Sequence, residues 1–283
     1  MRKFAFYITT LFLIGSLTGC QNNKPASECN DLQFEKLTID TTFQMTSNPE
    51  SPKSEFKLKM DYPIQTPDSQ LQVVVEQFIV DSYFGSDFST MSPQEAAMKY
   101  CERYQADYQN EGKEVMKEYG NDWSNVSPWY NFFEHSTGEA VYCANKVLSY
   151  CVFFSIYRGG AHDFQSSKCH VLDLQTLCRV YLVDLFSPDV TPDVSVLLRQ
   201  SLAKQHGCKN IAELKDTLHI FEPEEVEISD NFYVSEEGIT WVFNPYEIAP
   251  FSSGAIKASL SWQQLAPYLD PECSLYRFVP KAQ

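Results

Sequence analysis

The sequence has no G-x-S-x-G elbow, no H-E-x-x-H pair, no P-loop and no dinucleotide fingerprint. Each of these motifs fixes a geometry that its chemistry needs: an exposed nucleophile on a tight turn, two imidazoles on one helix face, or a glycine-rich cradle for phosphate. Without them the common serine-hydrolase, zinc-protease and nucleotide-binding classes lose their usual sequence support. The five histidines (His135, His162, His170, His206 and His219) are scattered. Cys169-His170 with His162-Asp163 offers metal-ligand chemistry. Adjacent strand residues point to opposite faces, however, so neither a metal site nor a cofactor is expected. There is no internal repeat, no sustained heptad and no long low-complexity tract. Positive charge is scarce: 22 Lys and Arg stand against 37 Asp and Glu, a net charge of −15. That field repels nucleic acid and anionic membrane surfaces and favours cationic partners, although an acidic surface also simply keeps an exported protein soluble. The densest acidic run, Glu222 to Asp230, reads as a solvated loop.

Only one uncharged apolar run is long, Phe4 to Ser16. At roughly 1.5 Å per residue it is too short for a bilayer core of about 30 Å. Arg2 and Lys3 precede it, and Leu17-Thr18-Gly19-Cys20 follows. Basic head, apolar run, small residues and cysteine at this spacing read as a lipoprotein leader. Residues 1–19 are then removed, and the Cys20 thiol takes the lipid that anchors the chain to the membrane. The expected location is the cell envelope. Gln21 rather than Asp after the cysteine favours the outer membrane of a Gram-negative cell. Residues 20–33 are polar and aperiodic, a lipidated tether. Eight more cysteines remain: Cys29, Cys101, Cys143, Cys151, Cys169, Cys178, Cys208 and Cys273. There is no CxxC, and several lie in apolar strand-like text, so one or two disulfides are expected.

The rest of the chain alternates strand and helix signals. Phe34–Met45 and Phe56–Tyr62 read as strands around Asn48-Pro49 and Ser51-Pro52. Leu71, Val74, Val75, Phe78 and Ile79 repeat at helical spacing, and Gly85 supplies a stop. Ser92-Pro93-Gln94-Glu95 is a capping box opening a second helix with Ala97, Cys101, Tyr104 and Tyr108 on one face. Segments 129–135, 139–145, 148–157, 168–174 and 179–185 read as strands. Thr191-Pro192 opens a third helix, with Val194, Leu197, Leu198 and Leu202 inward. A hairpin follows at 231–234 and 239–243, then a strand at 255–260. Ser261 with Gln264 caps a short helix. The fold class is therefore α+β, a largely antiparallel sheet with three main helices.

Two stretches collect candidate binding residues. In the first, Tyr157, Arg158, Gly159, Gly160 and His162, a strand runs into paired glycines, which allow close backbone approaches. It reads either as a backbone-lined niche with Arg158 and His162 at its mouth, or as a tight turn whose histidine bonds local backbone. In the second, Phe243 to Gly254, two prolines interrupt ladder pairing. There Asn244, Tyr246 and Glu247 either face a ligand, or Tyr246 buries its ring while Glu247 ties down loop amides.

The strings Y-x-G-G-A-H at 157–162, Asp173-Leu174-Gln175-Thr176, Leu182-Val183-Asp184-Leu185-Phe186 and F-N-P-Y-E-I-A-P at 243–250 resemble the RsiV-like extracytoplasmic domain. Met60-Asp61-Tyr62-Pro63 and the helix after it look like the companion module that also precedes the peptidoglycan deacetylase PdaC. The resemblance implies a module at 34–165 and a second at 166–283, forming one compact unit. It also implies a non-enzymatic sensing or binding role toward a lysozyme-like protein or a peptidoglycan-type glycan. This chain departs from the pattern at Leu177 and Asp163, where glycine is usual, and at Phe251, where tyrosine is common. Two alternatives are a cell-wall or glycan-acting enzyme, with Asp184 and Glu247 as paired carboxylates, and a structural partner of an outer-membrane complex.

Overall fold

A computed structural model describes residues 32–120 and 122–280. The leader, Cys20, Cys29 and most of the expected tether lie outside the described residues. Leu32 is already buried in the core. Strands β1 (Gln33–Gln44) and β2 (Lys53–Gln65) form an antiparallel hairpin. In β2 the alternation is strict: Phe56, Leu58 and Met60 are buried, while Lys57 and Lys59 face the other way.

Helix α1 (Ser69–Phe84) starts at an Asp68 cap, whose carboxylate accepts the Leu71 amide, and stops at Gly85. Helix α2 (Pro93–Tyr119) has both reciprocal bonds of the Ser92–Glu95 capping box. Helix α3 (Trp123–Tyr130) follows, and here the structure departs from expectation. The sequence pattern predicts a strand over residues 129–135, yet Trp129 and Tyr130 end a helix and the strand begins at Phe133. Buried Trp123 and Val126 hold α3 against Met45, Tyr108 and Phe132, so packing overrides its β-like aromatic text.

Strand β3 (Phe133–Ala144) joins two segments read as separate strands, with a bulge between Ala140 and Tyr142. It pairs parallel to β2 and antiparallel to β4 (Val147–Tyr157). Strands β5 (Phe164–Asp173) and β6 (Cys178–Val180) complete a six-stranded sheet in sequential order. β6 is shorter than the expected 179–185 segment, because residues Leu182–Asp184 turn into a 3-10 helix. The sheet runs through the expected 165/166 module boundary, which falls inside β5.

Helix α4 (Thr191–Gln205), a short α5 (Leu214–Thr217), strands β7 (Phe232–Val234), β8 (Gly238–Phe243) and β9 (Ile256–Ser261), and α6 (Trp262–Leu265) make the second unit. Its antiparallel three-stranded sheet and α4 enclose Trp241, Leu198, Leu202 and Leu260. Helices α1 and α2 cover one face of the large sheet. The second unit covers part of the other face, burying Val147, Ser149 and Val171. The α+β class and the three main helices α1, α2 and α4 are as the sequence predicts. Among the described residues no helix is long and apolar enough to cross a membrane.

Candidate functional site

The two candidate stretches meet, but their residues divide between different tasks. In the β8–β9 loop, Asn244 docks on the outer edge of β5. Its Oδ1 accepts the Ser167 amide at 2.6 Å, and its Nδ2 donates to the Ser167 carbonyl at 3.1 Å. Glu247 accepts from the Asn244 amide (2.7 Å) and side chain (3.1 Å), so it ties down its own loop. Asn231 does the same work one residue pair along. Its Oδ1 accepts the Cys169 amide at 2.9 Å, and its Nδ2 donates to the carbonyls of Ser167 (3.0 Å) and Val242 (2.7 Å). These two asparagines satisfy backbone groups that β6 leaves unpaired on β5. No motif marks Asn231; only its place at the start of a hairpin offered a signal.

Tyr246 does not bury its ring. It is 57 % exposed, at a positive φ of 71°, and its hydroxyl lies 3.2 Å from His162 Nε2. The His162 ring stacks on Phe251 with centroids 4.0 Å apart, and its Nδ1 lies 2.7 Å from the Asp163 carbonyl. His162, Tyr246 and Phe251 thus form a clasp between the two units. Asp163, at the position where glycine is usual, accepts from Ser155 (2.6 Å) and Gln165 (3.0 Å). Those bonds hold its carboxyl below the usual carboxylate range.

Arg158, Gly159 and Gly160 turn away from the clasp and line a separate niche of about 500 Å³ with Glu111, Tyr119, Asn125, Trp129 and other residues of α2 and α3. Tyr157 closes the loop by donating to the Gly160 carbonyl at 3.0 Å. Gly159 has a φ of 88°, and a Cβ there would lie 2.9 Å from the Trp129 carbonyl. Glycine is what lets the β4–β5 loop approach α3. Arg158 stacks over Tyr104 (4.8 Å) and pairs at 3.5 Å with Glu134. Burial pushes the Glu134 carboxyl up, against the downward pull of Tyr100, Arg158 and Arg103. Trp129 is 64 % exposed and Tyr119 48 %. Neither was singled out in the sequence, because they come from two helices and converge only in the fold.

The remaining chemistry-bearing side chains have structural tasks. Asp184 accepts the Tyr181 amide at 2.8 Å, and no hydrogen bond joins it to Glu247 among the described residues. Cys169 is disulfide-bonded to Cys151 across β4 and β5, and Cys143 is also disulfide-bonded. His170 faces the other way, against Arg179; burial first, then Arg179 and Lys168, push its pKa down to about 3. Among the described residues no three His, Cys, Asp or Glu side chains converge to hold a metal ion.

Residues 183–263 match the family model DUF3298, described as a protein of unknown function. The DUF3298 span takes in α4 and the β7–β9 sheet, and with them the Asn244–Glu247 loop but not the Tyr157–His162 loop. No curated protein matches the chain. The crystal structure of a DUF3298 family member from Bacteroides fragilis superposes with a TM-score of 0.80 at 20 % identity, covering 89 % of this chain and 98 % of that one. A DUF3298 family protein from Pseudomonas aeruginosa gives a TM-score of 0.57 at 11 % identity, covering 90 % and 100 % respectively. At these identities the likeness is one of fold.

Proposed function

We propose that the protein is a lipid-anchored, non-catalytic binding protein of the cell envelope. One contrast carries this reading. The carboxylates the sequence offers for acid–base work, Asp184 and Glu247, hold backbone amides, whereas exposed aromatic faces collect around the Arg158–Gly160 loop. Binding sites need such faces with a few polar groups, while general acid–base catalysis needs carboxylates free to reach a substrate. The leader-like text ending at Cys20 supports the anchor, and the resemblance to the RsiV-like domain supports the ligand class: a lysozyme-like protein or a peptidoglycan-type glycan. A net charge of −15 attracts a cationic protein electrostatically.

The test is to titrate lysozyme against the full chain in mild detergent at low and physiological salt, with co-sedimentation on insoluble peptidoglycan alongside. Saturable binding to either is expected, weakened by salt in the lysozyme case. Binding to neither overturns the reading. Turnover of labelled peptidoglycan that disappears in Glu247→Gln overturns its non-catalytic part.

A further inference from the structure

The niche between α2, α3 and the β4–β5 loop has a composition that narrows its ligand. Its floor is apolar, with Val126 and Phe132 buried. Its walls are lined by three aromatic residues, Trp129, Tyr119 and Tyr130. Polar groups around it keep open hydrogen-bonding capacity. Among the described residues Glu111 has no hydrogen-bond or ion-pair partner, and Arg158 donates no hydrogen bond. Asn125 uses its amide nitrogen on Asp122 and leaves its carbonyl oxygen open. The shape is kept by Gly159, whose contact with the Trp129 carbonyl fixes the loop against α3.

We infer that this niche is a saccharide subsite, seating one or two pyranose rings of a neutral or amino-bearing glycan. Pyranose rings have an apolar face of C–H groups that lies flat on an aromatic ring, and a rim of hydroxyls that needs mixed donors and acceptors. Trp129, Tyr119 and Tyr130 supply the first, and Glu111, Asn125 and Arg158 the second. Charge narrows the class further. Glu118 extends the acidic character of Glu111 along the same flank, where Glu114 is balanced by Lys117 at 2.7 Å, and the chain as a whole is at −15. Polyanionic glycans are repelled, while neutral or amino sugars are admitted. This inference rests on the binding-protein reading above and names the ligand class of one site within it.

The fold supplies a local reporter. Of the four tryptophans, Trp123, Trp241 and Trp262 are buried and Trp129 alone is exposed. Tryptophan fluorescence of the full chain in mild detergent, titrated with chitotetraose, cellotetraose and polygalacturonate, therefore reads the niche directly. A saturable blue shift with at least one neutral tetrasaccharide and none with polygalacturonate is expected. By calorimetry, Trp129→Ala is expected to weaken that binding by roughly tenfold or more, the effect of about 1.4 kcal/mol. Asn125→Ala is expected to weaken it less, and Phe153→Ala, on the opposite face of the sheet, to leave it unchanged. Absence of binding by both neutral tetrasaccharides, undiminished binding in Trp129→Ala, or equal binding of polygalacturonate overturns the subsite. If lysozyme or peptidoglycan still binds Trp129→Ala as tightly as the parent chain, the subsite falls while the binding-protein reading stands.

Discussion

Two carboxylates are buried in the large sheet, one at each end, and they are held in opposite ways. Asp173 lies at the end where β3 turns into β4 and β5 into β6. It accepts the amides of Gln175 (2.7 Å) and Thr176 (2.9 Å), and Arg277 reaches it at 2.8 Å from the C-terminal segment. Arg277 also donates to the carbonyls of Asn145 and Lys146, so one side chain locks both turns. Burial pushes Asp173 up, but these hydrogen bonds outweigh it and the carboxyl sits below its usual range. Glu134 lies at the niche end, behind Arg158. It accepts one short bond, from Tyr100 at 2.6 Å, and burial leaves its carboxyl above the usual range. One end of the sheet is saturated with hydrogen bonds and serves stability. The other keeps a raised carboxyl with a single short hydrogen bond beside the Arg158–Gly160 niche.

That contrast can be broken by substitution. The largest effect is expected from Asp173→Asn, which removes a buried charge from its donors and should cost about 3 kcal/mol in urea unfolding. The sign with pH follows from the lowered carboxyl. The stabilisation is present above the unfolded value of about 4 and is lost as pH falls through the folded one. Asp173→Asn should therefore flatten the acid limb of the stability profile. Arg277→Ala should cost about 2 kcal/mol, the value of charged hydrogen bonds removed from a part-buried site. A cost within experimental error would deny Arg277 its clamp role. Leu177 sits at a φ of 60° in the β5–β6 turn. Leu177→Gly should raise stability by about 1 kcal/mol, the cost of left-handed backbone for a side-chain-bearing residue. Glu134→Gln should change stability least at acid pH, below the unfolded carboxyl value, where the parent side chain is neutral as well. Because the folded carboxyl is raised, its contribution is fully present below the unfolded value and lost as pH rises through the folded one. Glu134→Gln should thus gain on the parent as pH rises. A loss comparable to that of Asp173→Asn would erase the distinction between the two ends.

Much of the fold was legible because its signals are local. The Ser92–Glu95 and Ser261–Gln264 boxes are reciprocal bonds within four residues, and the alternation in β2 reports one buried face directly. Helix α3 was not legible. Its Trp, Asn, Ser and Pro128 text has poor helix propensity, and only burial of Trp123 and Val126 decides it. The candidate site was half legible. Gly159 and Gly160 mark a close approach in any fold, but what they approach, Trp129, depends on α3 being a helix. Glu247 was visible as a polar residue in a proline-bounded loop, and only the structure assigns it to the Asn244 amide.

The parallel pairing of β2 with β3 bears on how the sheet assembles. Strands β3, β4 and β5 join through short turns and close with little loss of loop entropy. β2 reaches β3 only across the whole stretch from residue 66 to 132, and such distant contacts form late. The β1–β2 hairpin and the β3–β5 meander, each closed by short turns, are therefore expected to form before β2 docks on β3. Pulse-labelled hydrogen exchange should protect the amides of β4 before the Glu55 amide, which donates to the Phe132 carbonyl. The niche draws its walls from α2, α3 and the β4–β5 loop, so it exists only once the β1–β2 hairpin and the helices after it have docked on the meander.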